Sequence, residues 1–143
     1  MMVKRKAESE WIGKLKEGEG KMEFGSGAFK GQYSFLSRFK EGEGTNPEEL
    51  IAAAHSGCFS MALAASLGEE GYEPESVNTE AVVDLENVNG GFEITKIHLK
   101  NRSKVPEIEK EAFHEIAQEA KKNCPVSKAL SSIDIELDAE LIS

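Results

Sequence analysis

Two cysteines, Cys58 and Cys124, are the residues best suited to covalent chemistry in this chain. They stand far apart, and neither lies in the paired ligand spacing of a zinc site or in a Cys-x-x-Cys redox motif. Three readings of them stay open at this level: buried free thiols, a redox pair, or ligands. Cys124 directly precedes Pro125, where a short helix is expected to begin. Backbone amides at a helix start favour a thiolate. Cys58 follows a run of small residues, Ala52 to Gly57, along which another backbone can approach closely. Arg38, Glu48 and Glu49 lie shortly before it in sequence. An arginine beside a thiol stabilises its thiolate, and a carboxylate beside that arginine holds the guanidinium in plane. The same glutamates equally suit the positive end of a helix. His55, three residues before Cys58, is either a base for the thiol or a histidine bonded to backbone. The pair His114-Glu115 is followed by Gln118 where a zinc-protease helix needs histidine, and the glycine pairs lack the residues of a phosphate loop.

These side chains need elements to position them. The N-terminal third reads as β structure, with turns at Gly18-Glu-Gly20 and Gly25-Ser-Gly27. Alternation of Tyr33, Phe35 and Ser37 with Ser34, Leu36 and Arg38 predicts a strand ending near Phe39, with Arg38 on it. Asn46-Pro47-Glu48-Glu49 is a strong helix start, combining a cap, a proline at the first position and two carboxylates. The helix continues to about Leu67 with almost no polar residue, which predicts burial on most sides, at the centre of the fold or of a dimer. Two strands follow, over residues 77–85 and 92–99, joined by the hairpin turn Asn89-Gly90-Gly91. A second helix carries Ile108, Ala112, Ile116, Ala117 and Ala120 at helical spacing, and a third runs from Val126 to about Leu130. Ile133, Ile135, Leu137, Ala139 and Leu141 alternate with charges in a closing strand. The order βββ-α-ββ-αα-β predicts an α+β fold, taken as one domain over residues 1–143.

Composition narrows the functions. The 143 residues carry a formal net charge of −9, which argues against sequence-independent nucleic-acid binding and against anionic membranes as partners. No uninterrupted apolar run of membrane-spanning length is apparent, and Lys4, Arg5 and Lys6 precede acidic residues where a signal peptide would be apolar. A cytoplasmic location is therefore expected, where thiols are kept reduced.

The stretch R-F-K-E-G-E-G-T-N-P-E-E-L-I-A-A-A-H-S-G-C-F-S-M-A-L, with N-C-P-V-S-K-A-L much later, resembles the OsmC/Ohr family of hydroperoxide reductases. The likeness extends to Trp11-Ile-Gly, to Gly91-Phe-Glu-Ile-Thr-Lys-Ile and to the last strand. An arginine just before the T-N-P-E-E-L helix places it nearer the OsmC branch. The resemblance implies an OsmC-like fold, an intertwined homodimer and a peroxidase without cofactor or metal. It implies that Cys58 attacks the peroxide, that Cys124 resolves the resulting sulfenic acid as a disulfide, that Arg38 activates the thiol, and that Glu48 pairs with Arg38. It implies organic hydroperoxides as preferred substrates, hydrogen peroxide as a weaker one, and regeneration by an external dithiol or lipoyl-type donor. Leu50, Ile51, Phe59 and Met61 are the apolar residues expected to wall the substrate pocket. Glu48 and Cys58 should stand about 15 Å apart along one helix axis, a gap that a second chain would relieve by bringing its own residues beside Cys58. Two other readings are kept: a binding module of this fold with inert cysteines, and a hydrolase using Cys58 with His55.

Overall fold

The computed structural model describes all residues, Met1–Ser143. Backbone contacts divide them into two compact units, Met1–Leu50 and Ile51–Ser143.

Unit 1 is an antiparallel meander of β1 (Ala7–Ile12), β2 (Glu19–Phe24) and β3 (Lys30–Tyr33), followed by α1 (Phe35–Phe39) and the first turn of α2 (Pro47–Glu69). Gly20 pairs with Trp11 on one side and Tyr33 on the other. The two rings meet over it, with centroids 5.4 Å apart. A Cβ at Gly20 would come within 2.5 Å of Tyr33 and 2.7 Å of Trp11, so this strand position must stay bare for the rings to close over it.

Residues 35–39 correct the expected strand. Pairing ends at Tyr33, and Ser34 begins a capping box: its hydroxyl accepts from the Ser37 amide at 3.1 Å, and the Ser37 hydroxyl accepts from the Ser34 amide at 2.8 Å. That reciprocal pair satisfies donors a helix start leaves open. Phe35 and Phe39, four residues apart, stack at 5.0 Å. The alternation read as a strand is a single helical turn, and Arg38 lies on it. Ser37 also donates to the Thr45 carbonyl at 2.7 Å, while Asn46 donates to the Ser37 carbonyl at 3.0 Å. The loop to α2 is thus tied back onto α1. The start of α2 follows the sequence: Asn46 accepts from the Glu49 amide at 2.8 Å, and Pro47 opens the helix.

Unit 2 packs helices on a sheet of order β4-β5-β6, comprising β4 (Ser76–Val88), β5 (Gly91–Lys104) and β6 (Asp134–Ile142). The β4–β5 hairpin turns through Asn89 and Gly90, both at positive φ, the geometry that asparagine-glycine supplies. β6 returns parallel to β5 after α3 (Lys110–Asn123) and α4 (Pro125–Ala129). The core combines Phe59, Leu63 and Leu67 of α2, Ile97 and Leu99 of β5, Phe113, Ala117 and Ala120 of α3, and Cys124. Between α2 and the sheet lies a chain of hydrogen bonds. Ser60 donates to the Thr79 hydroxyl at 2.8 Å, the Asn101 side-chain amide to the same hydroxyl at 3.0 Å, and Ser103 to Asn101 Oδ1 at 2.8 Å.

One expectation for α2 changes, and its burial on most sides is not met within the single chain. Within this chain it buries one stripe, His55-Phe59-Leu63-Leu67, and leaves Ala53, Ala54, Gly57, Met61, Ala65 and Gly68 exposed. A four-residue spacing advances slightly more than one turn, so a single sheet covers only that stripe. The helix is also long and apolar enough, by length and composition, to cross a membrane, its best window having a mean hydropathy of 1.5. His55, Ser56, Gly57 and Ser60 break the uninterrupted run but do not offset its alanines and leucines in the average.

Candidate active site

Arg38 and Glu48 form a two-point pair in unit 1. Arg38 Nε donates to Glu48 Oε1 at 3.1 Å and Nη2 to Oε2 at 2.9 Å. The carboxylate is nearly buried, its side chain 10% exposed against 37% for the arginine. α1 and the first turn of α2 supply the two partners. The planar guanidinium matches both carboxylate oxygens, which a lysine cannot do. The Arg38 guanidinium also lies 5.2 Å from the Phe39 ring centroid. Thr45 donates to Glu49 at 2.7 Å, so the second glutamate serves the helix start and leaves Glu48 to the arginine.

A cavity of about 420 Å³ opens beside Arg38, lined by Trp11, Leu15, Tyr33, Phe35, Phe39 and other residues of unit 1. Sequence reasoning does not find this aromatic wall, because its members come from separate elements and the alternation around Arg38 predicts a strand in place of α1. The four apolar residues expected around the thiol do not form one wall. Phe59 is fully enclosed in the core, Met61 is 76% exposed, and Leu50 and Ile51 are half-buried. Two residues along a helix turn the side chain through about 200°, so Phe59 and Met61 face opposite ways.

In unit 2 the sulfurs of Cys58 and Cys124 lie 2.9 Å apart, and both cysteines are free thiols. Cys58 is half-buried on α2, while Cys124 is buried where α3 ends and α4 begins. Burial pushes the Cys58 thiol up, as does its hydrogen bond to Cys124. Cys124 is also desolvated, which alone would raise it. The shared hydrogen bond with Cys58, the Ser127 amide and hydroxyl and the Val126 amide together bring it below the usual thiol range. One proton held between two sulfurs belongs to the pair. The donors gathered at α4 favour Cys124 as the anionic member.

His55 is fully buried in the same unit, with Nε2 at 2.8 Å from Ser127 Oγ. Its Nδ1 has no hydrogen-bond partner. Burial holds its pKa below the ordinary histidine value and favours the neutral ring. It is not bonded to backbone, one of the two roles considered from sequence, but to a side chain beside Cys124. Ser127 itself was missed; its only sequence signal is its place three residues after Cys124.

Residues 40–138 match the OsmC-like protein family. The chain belongs to that family. Peroxiredoxin OsmC of Escherichia coli is 47% identical over 144 aligned residues that cover all of both chains. An organic hydroperoxide resistance protein of Xanthomonas axonopodis is 33% identical over 67% of each chain. The crystal structure of the organic hydroperoxide resistance protein OhrB of Bacillus subtilis superposes with a TM-score of 0.70 at 25% identity, over 96% of this chain and 98% of that one. The α+β assignment and the OsmC-like family expectation both hold. The nearer full-length likeness to Peroxiredoxin OsmC agrees with the OsmC branch.

Proposed function

We propose that this OsmC-like protein reduces organic hydroperoxides to alcohols through Cys58 and Cys124, and hydrogen peroxide more weakly. The peroxidase class follows from the family and from the relative named a peroxiredoxin. The observation that supports the finer mechanism is the contact between two free sulfurs at 2.9 Å, which needs under ~1 Å of closure to reach a disulfide length.

In this mechanism the Cys58 thiolate attacks the terminal oxygen of R-O-O-H. The O–O bond breaks, Cys58 becomes a sulfenic acid, and the alkoxide leaves as alcohol after protonation. Cys124 then displaces hydroxide from the Cys58 sulfur, giving water and a Cys58–Cys124 disulfide. An external dithiol, of lipoyl or similar type, returns both thiols by exchange in the reducing cytoplasm. No cofactor or metal takes part.

The pKa directions within one chain favour a thiolate on Cys124, whereas attack requires one on Cys58. We assign the missing stabilisation to Arg38, held by Glu48, acting on Cys58 across a homodimer. The exposed small-residue face of α2 supports such a partner, since a helix this apolar is usually covered on more than one side. The aromatic cavity beside Arg38 suits the alkyl or aryl group of the substrate. Consumption of cumene hydroperoxide with a dithiol, measured for wild type and Cys58→Ser, tests the reading. Turnover by wild type and none by the variant is expected; equal turnover would remove Cys58 from the reaction, and none in either would return the chain to a binding role.

A further inference from the structure

We propose that the His55–Ser127 hydrogen bond is a second clasp between α2 and the start of α4, one that keeps Cys124 within reach of Cys58 when the sulfurs themselves are not in contact. The proposal deepens the reading of the two cysteines as a redox pair and rests on it.

Both ties join the same two segments. On α2, His55 stands three residues before Cys58; at the start of α4, Ser127 stands three residues after Cys124. His55 Nε2 lies 2.8 Å from Ser127 Oγ, and the two sulfurs lie 2.9 Å apart. Three residues of helix separate the ties by roughly 4.5 Å along α2. One contact between two segments leaves a swivel, and a second contact at that distance stops the rotation.

α4 needs such a tie. It has five residues, Pro125–Ala129, and a single helical turn does not hold itself in place. Cys124 is the joint before it: its amide donates to the Ala120 carbonyl of α3, and its carbonyl accepts from the Lys128 amide, both at 3.0 Å. Val126 and Leu130 pack against the core but are only partly buried, and apolar contacts of this kind are not directional. The His55–Ser127 bond is directional and enclosed, with His55 fully buried and Ser127 6% exposed. Opening it would strand polar groups away from water. The serine hydroxyl can donate or accept, so the tie holds in either tautomer of the ring.

The clasp matters between the two chemical steps. Peroxide leaves an oxygen on the Cys58 sulfur, which displaces the Cys124 sulfur from its contact. Cys124 then attacks: the S–S bond forms, the S–O bond breaks, and hydroxide leaves with the Cys124 proton as water. In that interval His55–Ser127 is the side-chain tie between α2 and α4 that no sulfur makes. Holding the reacting groups together raises their effective concentration, and so favours both the rate of disulfide formation and its equilibrium.

The experiment measures the exchange equilibrium between the full-length protein and dithiothreitol, with thiol trapping and mass spectrometry. His55→Leu should make the Cys58–Cys124 disulfide up to about tenfold easier to reduce, the range for one lost buried hydrogen bond. Ser127→Ala should do the same, and the double variant should add little, because both remove one interaction. His55→Gln, whose amide ends near the position of Nε2, should restore most of the equilibrium. After one equivalent of cumene hydroperoxide, His55→Leu should form sulfenic acid at the wild-type rate and close the disulfide several-fold more slowly. A bond that only supports the fold would lower thermal stability and leave the exchange equilibrium unmoved, which overturns the proposal. Equal behaviour of His55→Gln and His55→Leu would overturn it too. If His55→Leu does not fold, Ser127→Ala and His55→Gln decide. The exchange equilibrium involves no peroxide, so its outcome is separate from failure of the peroxidase reading, which would appear as an inactive wild type.

Discussion

Cys58 and Cys124 approach to 2.9 Å between sulfurs across a sequence separation of 66 residues. Attack and resolution can therefore share one location with little motion of the backbone. Cys124→Ser should still form alcohol from one equivalent of hydroperoxide. It should then stall, with Cys58 proceeding to the sulfinic acid under excess peroxide. Intact-mass spectrometry after stoichiometric and excess oxidant checks this; a wild-type product linked only between chains would refute the intramolecular disulfide.

Arg38→Met should cut the rate of peroxide consumption by roughly 10²-fold, the usual cost of losing one electrostatic donor at a reacting centre. Arg38→Lys should recover only part of that loss, because a lysine cannot engage both Glu48 oxygens. Single-turnover kinetics under excess enzyme measures the step directly.

Acid stability should depend on His55. Its folded pKa is lowered by burial, so between that value and the unfolded value of about 6.5 the unfolded state binds more protons. Stability contributed by the neutral ring is present above that window and is lost as pH falls through it, by at most about 1.4 kcal/mol per pH unit for one proton. Urea unfolding from pH 7 down to pH 5 should show this slope in wild type, and His55→Gln should flatten it.

Substrate preference should follow the aromatic cavity beside Arg38. Burying ~100 Å² of a phenyl group contributes roughly 2.5 kcal/mol, so kcat/KM for cumene hydroperoxide should exceed that for hydrogen peroxide by one to two orders of magnitude. Phe35→Ala should shrink this ratio. An unchanged ratio would move the substrate away from that wall.

Mixed dimers test whether Arg38 serves the cysteine of its partner. Cys58→Ser and Arg38→Met chains, refolded together, should recover roughly a quarter of wild-type activity, since half the dimers are mixed and each has one intact site of two. Absence of recovery in proven heterodimers would assign Arg38 to its own chain.

Much of this was legible in the sequence for identifiable reasons. The start of α2 was carried by local chemistry, with Asn46 capping and Pro47 opening the helix. Asn89-Gly90 announced its hairpin in the same way. The segment around Arg38 was not legible as a helix, because five residues are too few for periodicity to separate one turn from a short strand; the Ser34–Ser37 box decided it. The Arg38–Glu48 pair was legible by family resemblance alone. Ser127 and the aromatic wall depend on tertiary placement, which neither spacing nor composition encodes.

The hydrogen-bonded chain through Ser60, Thr79, Asn101 and Ser103 bears on how far α2 can slide. Leu63 and Leu67 are one turn apart and chemically the same, so an apolar surface would accept either in the other's place. Sliding α2 by one turn, about 5.4 Å, would put Ile51 where His55 meets Ser127 if Ser56 took the polar place, or in the other direction would offer the Thr79 hydroxyl only Ala64 in place of Ser60. Cys58 lies two residues before that serine. The polar chain therefore acts as a registration pin, fixing the longitudinal setting of the helix to a tolerance that greasy contacts cannot supply and that a sulfur reaching for its neighbour requires.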